Sequence, residues 1–167
     1  MTYTSKAIAN YFLDLAERDG KPLDPMKLQK LVYFAHGWNL AISGEPLLAD
    51  TVEAWQYGPV IPDLYHELKH FGRNPVTQKT WTVTSSGTTI QINIDSVPES
   101  ATNVRALLDR VWQVYGSFSG IELSNRTHDE GSPWDLTWRQ AEGRKNVDIE
   151  DRVIREYFKD KLVAAGE

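Results

Sequence analysis

The sequence predicts an α+β fold, predominantly α-helical, with about six helices and a small antiparallel β-hairpin or sheet. Three observations carry this expectation. Apolar residues recur at helical spacing along most of the 167-residue chain, and helix-capping residues mark several starts. One stretch only, "TWTVTSSGTTIQINI" at residues 80–94, alternates polar and apolar residues about a Ser-Ser-Gly turn. At 41% hydrophobic content the chain is long enough to bury about 68–70% of its unfolded surface, so residues 1–167 are read as a single compact domain.

The elements follow in order. Ala7, Ile8, Tyr11, Phe12, Leu15 and Ala16 mark a first amphipathic helix, with Ser5 as its expected cap and Gly20 as its stop. A second helix opens with Asp24 as cap and Pro25 at the first helical position, and closes at Gly44. Leu28, Leu31, Val32, Ala35, Trp38 and Ile42 share one broad face, and Tyr33 and Leu40 a second, so this helix is expected to be central. Lys30 and Gly37 fall in the narrow remainder, where Gly37 would admit a neighbouring backbone. His36 lies between the stripes and reads as a core or boundary histidine.

Val52 to Trp55 reads as a short strand, Tyr57-Gly58-Pro59 as a turn, and the following segment as a short helix stopped by Gly72. Val104, Leu107, Leu108, Val111, Trp112 and Tyr115 mark a further helix, and Ile149, Val153, Ile154, Tyr157, Phe158 and Leu162 the last. Between them Ser119 and Glu122 have capping-box spacing, opening a short helix that ends near Thr127. Gly131 then turns the chain, and Ser132 or Asp135 caps a segment through Trp138.

Composition narrows the function classes. The net charge is -5, which repels a polyanion at long range, and there is neither a basic arm nor a recognition helix, so nucleic acid is a poor partner. With no cysteine, disulfide scaffolds, thiol nucleophiles and thiolate zinc sites are excluded. Charges interrupt the first twenty residues, which argues against a signal peptide or a membrane span and for a cytoplasmic protein. Six Trp, seven Tyr and five Phe are a large aromatic endowment, serving a core, self-association in a homo-oligomer or a foreign protein partner.

Two motifs suggest chemistry. "HELKH" at 66–70 satisfies the zinc-hydrolase pattern H-E-x-x-H. Against it, His66 and His70 fall opposite the face formed by Leu64, Tyr65, Leu68 and Phe71, and the extended motif fails at Arg73 and Val76. "NRTHDEGSPW" at 125–134 gathers a histidine, two carboxylates and a serine, but neither Ser124 nor Ser132 has a nucleophile-elbow context. Neither motif is assigned a catalytic, metal-binding or cofactor role. The second reads better as a rigid loop in which His128 and Asp129 satisfy turn groups and Trp134, beside Tyr57-Gly58-Pro59, presents a docking ring.

The run "KLQKLVYFAHGWNLAISGEPLLADTVEAWQYGPVIPDLYHELKHFG", residues 27–72, strongly resembles the SocA-like, or Panacea, antitoxin domain, also called phage-associated protein. Its elements are Lys27-Leu28-Gln29-Lys30-Leu31, Tyr33, Ala35-His36-Gly37-Trp38, Glu53-Ala54-Trp55 and Gly58-Pro59-Val60. "LSNRTHDEGSPW" at 123–134 looks like the second signature of that family. The resemblance implies an antitoxin that binds and neutralises a cognate protein toxin, or an adaptor delivering a toxin to a Clp-type protease. Among the signature residues, Lys27, Gln29, His36, Gly37, Trp38 and Trp55 are expected to be structural. Tyr57, Gly58, Pro59, His128, Asp129 and Trp134 are expected to meet the partner.

Overall fold

A computed structural model describes residues 1–166. Seven α-helices occur among them: α1 (Ser5–Asp19), α2 (Pro25–Ser43), α3 (Pro62–Leu68), α4 (Thr102–Tyr115), α5 (Gly120–Thr127), α6 (Pro133–Ala141) and α7 (Asp151–Ala165). A 3-10 turn, Lys69–Phe71, extends α3. Strands β1 (Glu53–Trp55), β2 (Gly58–Val60) and β5 (Val147–Asp148) form one antiparallel sheet in the order β2-β1-β5. Strands β3 (Trp81–Ser86) and β4 (Thr89–Ile94) form a separate hairpin. The predominantly helical α+β architecture is therefore the expected one, and no helix is long and apolar enough to cross a membrane among the described residues.

The helix ends follow local chemistry. Asp24 accepts from the Lys27 amide at 2.8 Å, Pro25 opens α2, and Gly44 ends it in the left-handed region at φ 77°. Ser119 and Glu122 form the full capping box of α5. Ser132 caps α6 by accepting from the Asp135 amide at 3.2 Å. At α1 the expected cap is displaced by one residue: Thr4 accepts from the Ala7 amide, and Ser5 is already helical and buried.

Helix α2 is the axis of the molecule. It packs against α1, α3, α4, α5, α7 and β2, and Leu28 through Gly37 are all buried. Because it is enclosed along most of its length, its polar residues Lys27, Gln29, Lys30 and His36 are inside as well. Lys30, in the narrow strip between the two apolar faces, is only 3% exposed. Ile42, assigned from spacing to the inner face, is 62% exposed in the last turn, where α2 runs past its neighbours.

Gly37 does admit a close neighbour, but that neighbour is a side chain. A Cβ at Gly37 would fall inside the contact distance of the Phe158 ring of α7. That ring meets Tyr33, Phe34 and Trp38 edge-on, with centroids 5.1 to 6.1 Å apart. His36 fixes the start of the same helix. The Leu48 amide donates to Nδ1 at 3.4 Å, so Nε2 carries the proton and donates to Asp151 at 2.8 Å.

Candidate partner-docking hairpin

The two signature segments meet around one short piece of chain, residues 55–61. Strands β1 and β2 pair Trp55 with Gly58, leaving Gln56 and Tyr57 as the two-residue loop at the tip. The turn expected at Tyr57-Gly58-Pro59 is thus one register earlier, and Gly58 and Pro59 lie within β2, buried. Gly58 has φ 117°, and a Cβ there would stand 3.0 Å from Thr127 Oγ1 and 3.3 Å from Lys30 Nζ. Both the backbone angle and the crowding demand glycine.

Every second carbonyl along this segment accepts from a side chain of one of the two other signature elements, residues 27–31 or 123–134. Trp134 Nε1 donates to the Trp55 carbonyl at 2.6 Å. Ser124 Oγ donates to that of Tyr57 at 3.0 Å. Lys30 Nζ donates to Pro59 at 2.9 Å. Gln29 Nε2 donates to Ile61 at 2.9 Å, while its Oε1 accepts from the Ile61 amide at 3.0 Å. The carbonyls of Pro59 and Ile61, two residues apart beyond the turn, point to the same edge, so β2 is held along that edge by side chains of α2 instead of by a further strand.

The second signature is itself locked. Thr127 Oγ1 and His128 Nδ1 both donate to the Ser124 carbonyl at 2.6 Å, and Ser132 Oγ donates to the Thr127 carbonyl at 2.9 Å. The His128 ring stands edge-on to Trp134, with centroids 4.2 Å apart. The amide of Gly131 donates to Asp135, and this bond, followed by the Arg139 guanidinium, holds the Asp135 carboxyl below its usual range.

The residues expected to meet the partner lie at different depths. Trp134 is 9% exposed, because its ring plugs the space beneath β1 and its only polar atom is committed to Trp55. His128 is half-buried at the end of α5, and Gly58 and Pro59 are buried. Asp129 is exposed. Tyr57 alone among the expected rings is presented, at 69% exposure.

Beside Tyr57 runs a groove of about 450 Å³ lined by Met26, Trp55, Tyr57, Val60, Tyr65 and Leu68, a volume suited to a few side chains of a partner. Tyr65, placed by spacing on the inner face of α3, is 40% exposed and stacks edge-on against Trp55 at 4.8 Å. Sequence reasoning missed Met26, Val60 and Tyr65 as groove residues. The signal for them is weak: an exposed apolar residue at a helix start and another across the hairpin come together only in three dimensions.

Lys27 Nζ donates to the Gly116 carbonyl at 2.6 Å and Trp38 Nε1 to Tyr115 Oη at 2.9 Å. Lys30 is the costliest member. Burial among groups that offer it one carbonyl and no carboxylate pulls its amine down to about 8. Of the H-E-x-x-H residues, His66 is in α3 whereas His70 is in the 3-10 turn, both exposed, and Glu67 pairs with Lys6 at 3.4 Å. Among the described residues no three His, Asp or Glu side chains gather as metal ligands.

Comparison with known proteins agrees with the signature residues. The model of the family described as "Antitoxin SocA-like, Panacea domain" matches residues 28–135. Antitoxin SocA of Caulobacter vibrioides (strain NA1000 / CB15N) is 28% identical over 164 residues, covering 97% of this chain and 86% of that protein. No solved structure matches. The family match spans α2, the Tyr57 hairpin and the α5–α6 lock that mounts it, and the chain belongs to the SocA-like antitoxin, Panacea domain family.

Proposed function

We propose that this protein is an antitoxin that neutralises a protein toxin by direct binding, with the Tyr57 tip and its flanking groove as the docking surface. One observation carries the reading: four buried side chains from three helices hold an eight-residue hairpin whose end is an exposed tyrosine, and Ile61 just after it. A rigid aromatic pre-placed over an apolar groove loses little entropy on binding. The mechanism is occlusion. Tyr57, with the exposed edge of Tyr65, covers an apolar feature of the toxin, while the surrounding charges set encounter rate and choice of partner. No step of this mechanism requires a bond to be made or broken.

The reading keeps Tyr57, of the two rings expected to meet the partner, as the anchor and makes Trp134 part of the mount. Its first test is genetic. The open reading frame adjoining this gene is expressed alone and with this chain in a bacterial host. Growth arrest by the first, relieved by the second but not by its Tyr57→Asp variant, is expected. Arrest relieved equally by both would remove Tyr57 from the interface. Relief that depends on a host protease would instead favour delivery for degradation over occlusion.

A further inference from the structure

The hairpin β3–β4 is a second exposed surface of different character. Its register pairs Trp81 with Ile94, Val83 with Ile92 and Ser85 with Ile90, so these six side chains share one face. Thr82, Thr84, Ser86, Thr89, Gln91 and Asn93 share the other. The apolar face is uncovered: Trp81, Val83, Ile90, Ile92 and Ile94 are 41%, 56%, 71%, 68% and 59% exposed.

Only the base of this arm is anchored. Asn10, buried in α1, donates to the carbonyls of Thr80 and Asp95 and accepts from the Thr80 amide, so both strands leave the body from one fixed point. A lone two-stranded hairpin is marginally stable in water, and one with an open apolar face needs a cover. The usual protection of a bare β-edge is also missing, since residues 81–94 contain no proline and no charged residue.

We propose that the cover is a second copy of this chain, the apolar faces of two β3–β4 arms packing on each other about a two-fold axis. Charge argues for this occupant. Two copies each carry a net -5, and 25% of the residues of the chain are charged, so two copies repel, but the uncharged arm contributes nothing to that repulsion. Shape agrees: aliphatic rows at alternate positions interdigitate across a sheet-to-sheet interface, and the face is its own complement in an isologous contact. Area suffices as well. The five side chains present on the order of 500 Å² of apolar surface, so a pair removes roughly 1,000 Å², the lower bound for a specific interface. The association is weak and concentration-dependent on that scale.

Sedimentation equilibrium of the full chain tests this, run up to about 100 μM because an interface of that area dissociates in the micromolar range. The wild type is expected to dimerise, Ile92→Lys to be monomeric and Thr84→Lys, on the opposite face of the same arm, to dimerise as the wild type does. Ile90→Ser is a milder second probe should Ile92→Lys alter the circular dichroism spectrum. A monomeric wild type, or a dimer indifferent to Ile92→Lys and Ile90→Ser, overturns the proposal. So does a monomeric wild type whose toxin complex is lost in Ile92→Lys, which would hand the arm to a foreign partner. The toxin reading is judged separately, by the Tyr57→Asp variant, whose arm is intact.

Discussion

Replacing Gln29 with leucine isolates the contribution of one signature residue to the mount. The side chain is buried and spends both ends of its amide on Ile61, itself 0% exposed. Leucine keeps the volume and removes both bonds. The two Ile61 groups then fare differently. Its carbonyl still accepts from the Tyr65 amide at 2.9 Å, so only the net value of one bond is lost there. Its amide has no other partner, and an orphaned buried donor costs about 1–3 kcal/mol against about 0.5–1.5 for the lost carbonyl bond. The expected total is about 2–4 kcal/mol, a large part of the 5–15 available to a folded domain.

Urea denaturation followed by circular dichroism measures this, with amide exchange at Ile61 and Gly58 reporting whether the loosening is local. Gln29→Glu adds a sign test. Its ionised carboxylate accepts from the Ile61 amide but faces the Ile61 carbonyl, whereas its protonated form matches the glutamine. The folded state therefore raises the pKa of this carboxyl, and the stabilising bond is present at low pH and lost as pH rises through that value. The deficit of Gln29→Glu against the wild type should narrow as pH falls from neutrality towards the unperturbed glutamate value. A Gln29→Leu variant within about 0.5 kcal/mol of the wild type, the scatter of neutral surface changes, would refute the claim that this residue holds the hairpin.

Three further outcomes follow from the same geometry. The unfolded chain keeps the Lys30 proton to 10.5 and the folded chain releases it at about 8, so between those values unfolding takes up a proton and stability rises with pH. The stability of the wild type minus that of Lys30→Met should therefore increase by up to about 3 kcal/mol on going from pH 7.5 to 10.5, and a flat difference would contradict the buried charge. Gly37→Ala should destabilise by about 1–3 kcal/mol in thermal unfolding, against the gain of about 1 kcal/mol that alanine brings to an unobstructed helix interior. The double variant His66→Ala, His70→Ala should change stability by less than about 0.5 kcal/mol with or without chelator, since both rings are exposed; a chelator-sensitive melting temperature in the wild type would reopen the zinc reading.

Much of the fold was legible because it is locally determined. Asp24, Pro25 and Gly44 bound α2, and Ser119 with Glu122 opens α5, through bonds that span a few residues. The failures share a different cause. Periodicity sorts residues by apolarity, and so it placed Ile42 inside a helix that emerges at its last turn, and left Lys30 in the strip between apolar faces with no sign of its burial. The partner that makes a buried lysine tolerable is a carbonyl 29 residues away.

The same limit governed the site. The position of Trp134 beside the Tyr57 segment was foreseeable from the paired signatures, but which ring faced outward depended on the 2.6 Å bond to Trp55 that draws Trp134 in. Strand β5 is two residues long and acquires strand geometry only by pairing with Glu53 and Ala54. Met26 and Tyr65 line the groove because α2 and α3 flank the hairpin, a juxtaposition that no local pattern encodes.

The most direct measurement is the affinity of the purified chain for the protein encoded by the adjoining gene, by isothermal titration, for the wild type and Tyr57→Asp. Tyr57 is 69% exposed and bonds to the body only through its backbone, so the variant should unfold at the wild-type temperature. Loss of a central aromatic anchor weakens binding by about 2 kcal/mol or more, roughly thirtyfold in Kd. A variant with unchanged melting and unchanged affinity would contradict the account, because the mounted tyrosine would then be presented to nothing.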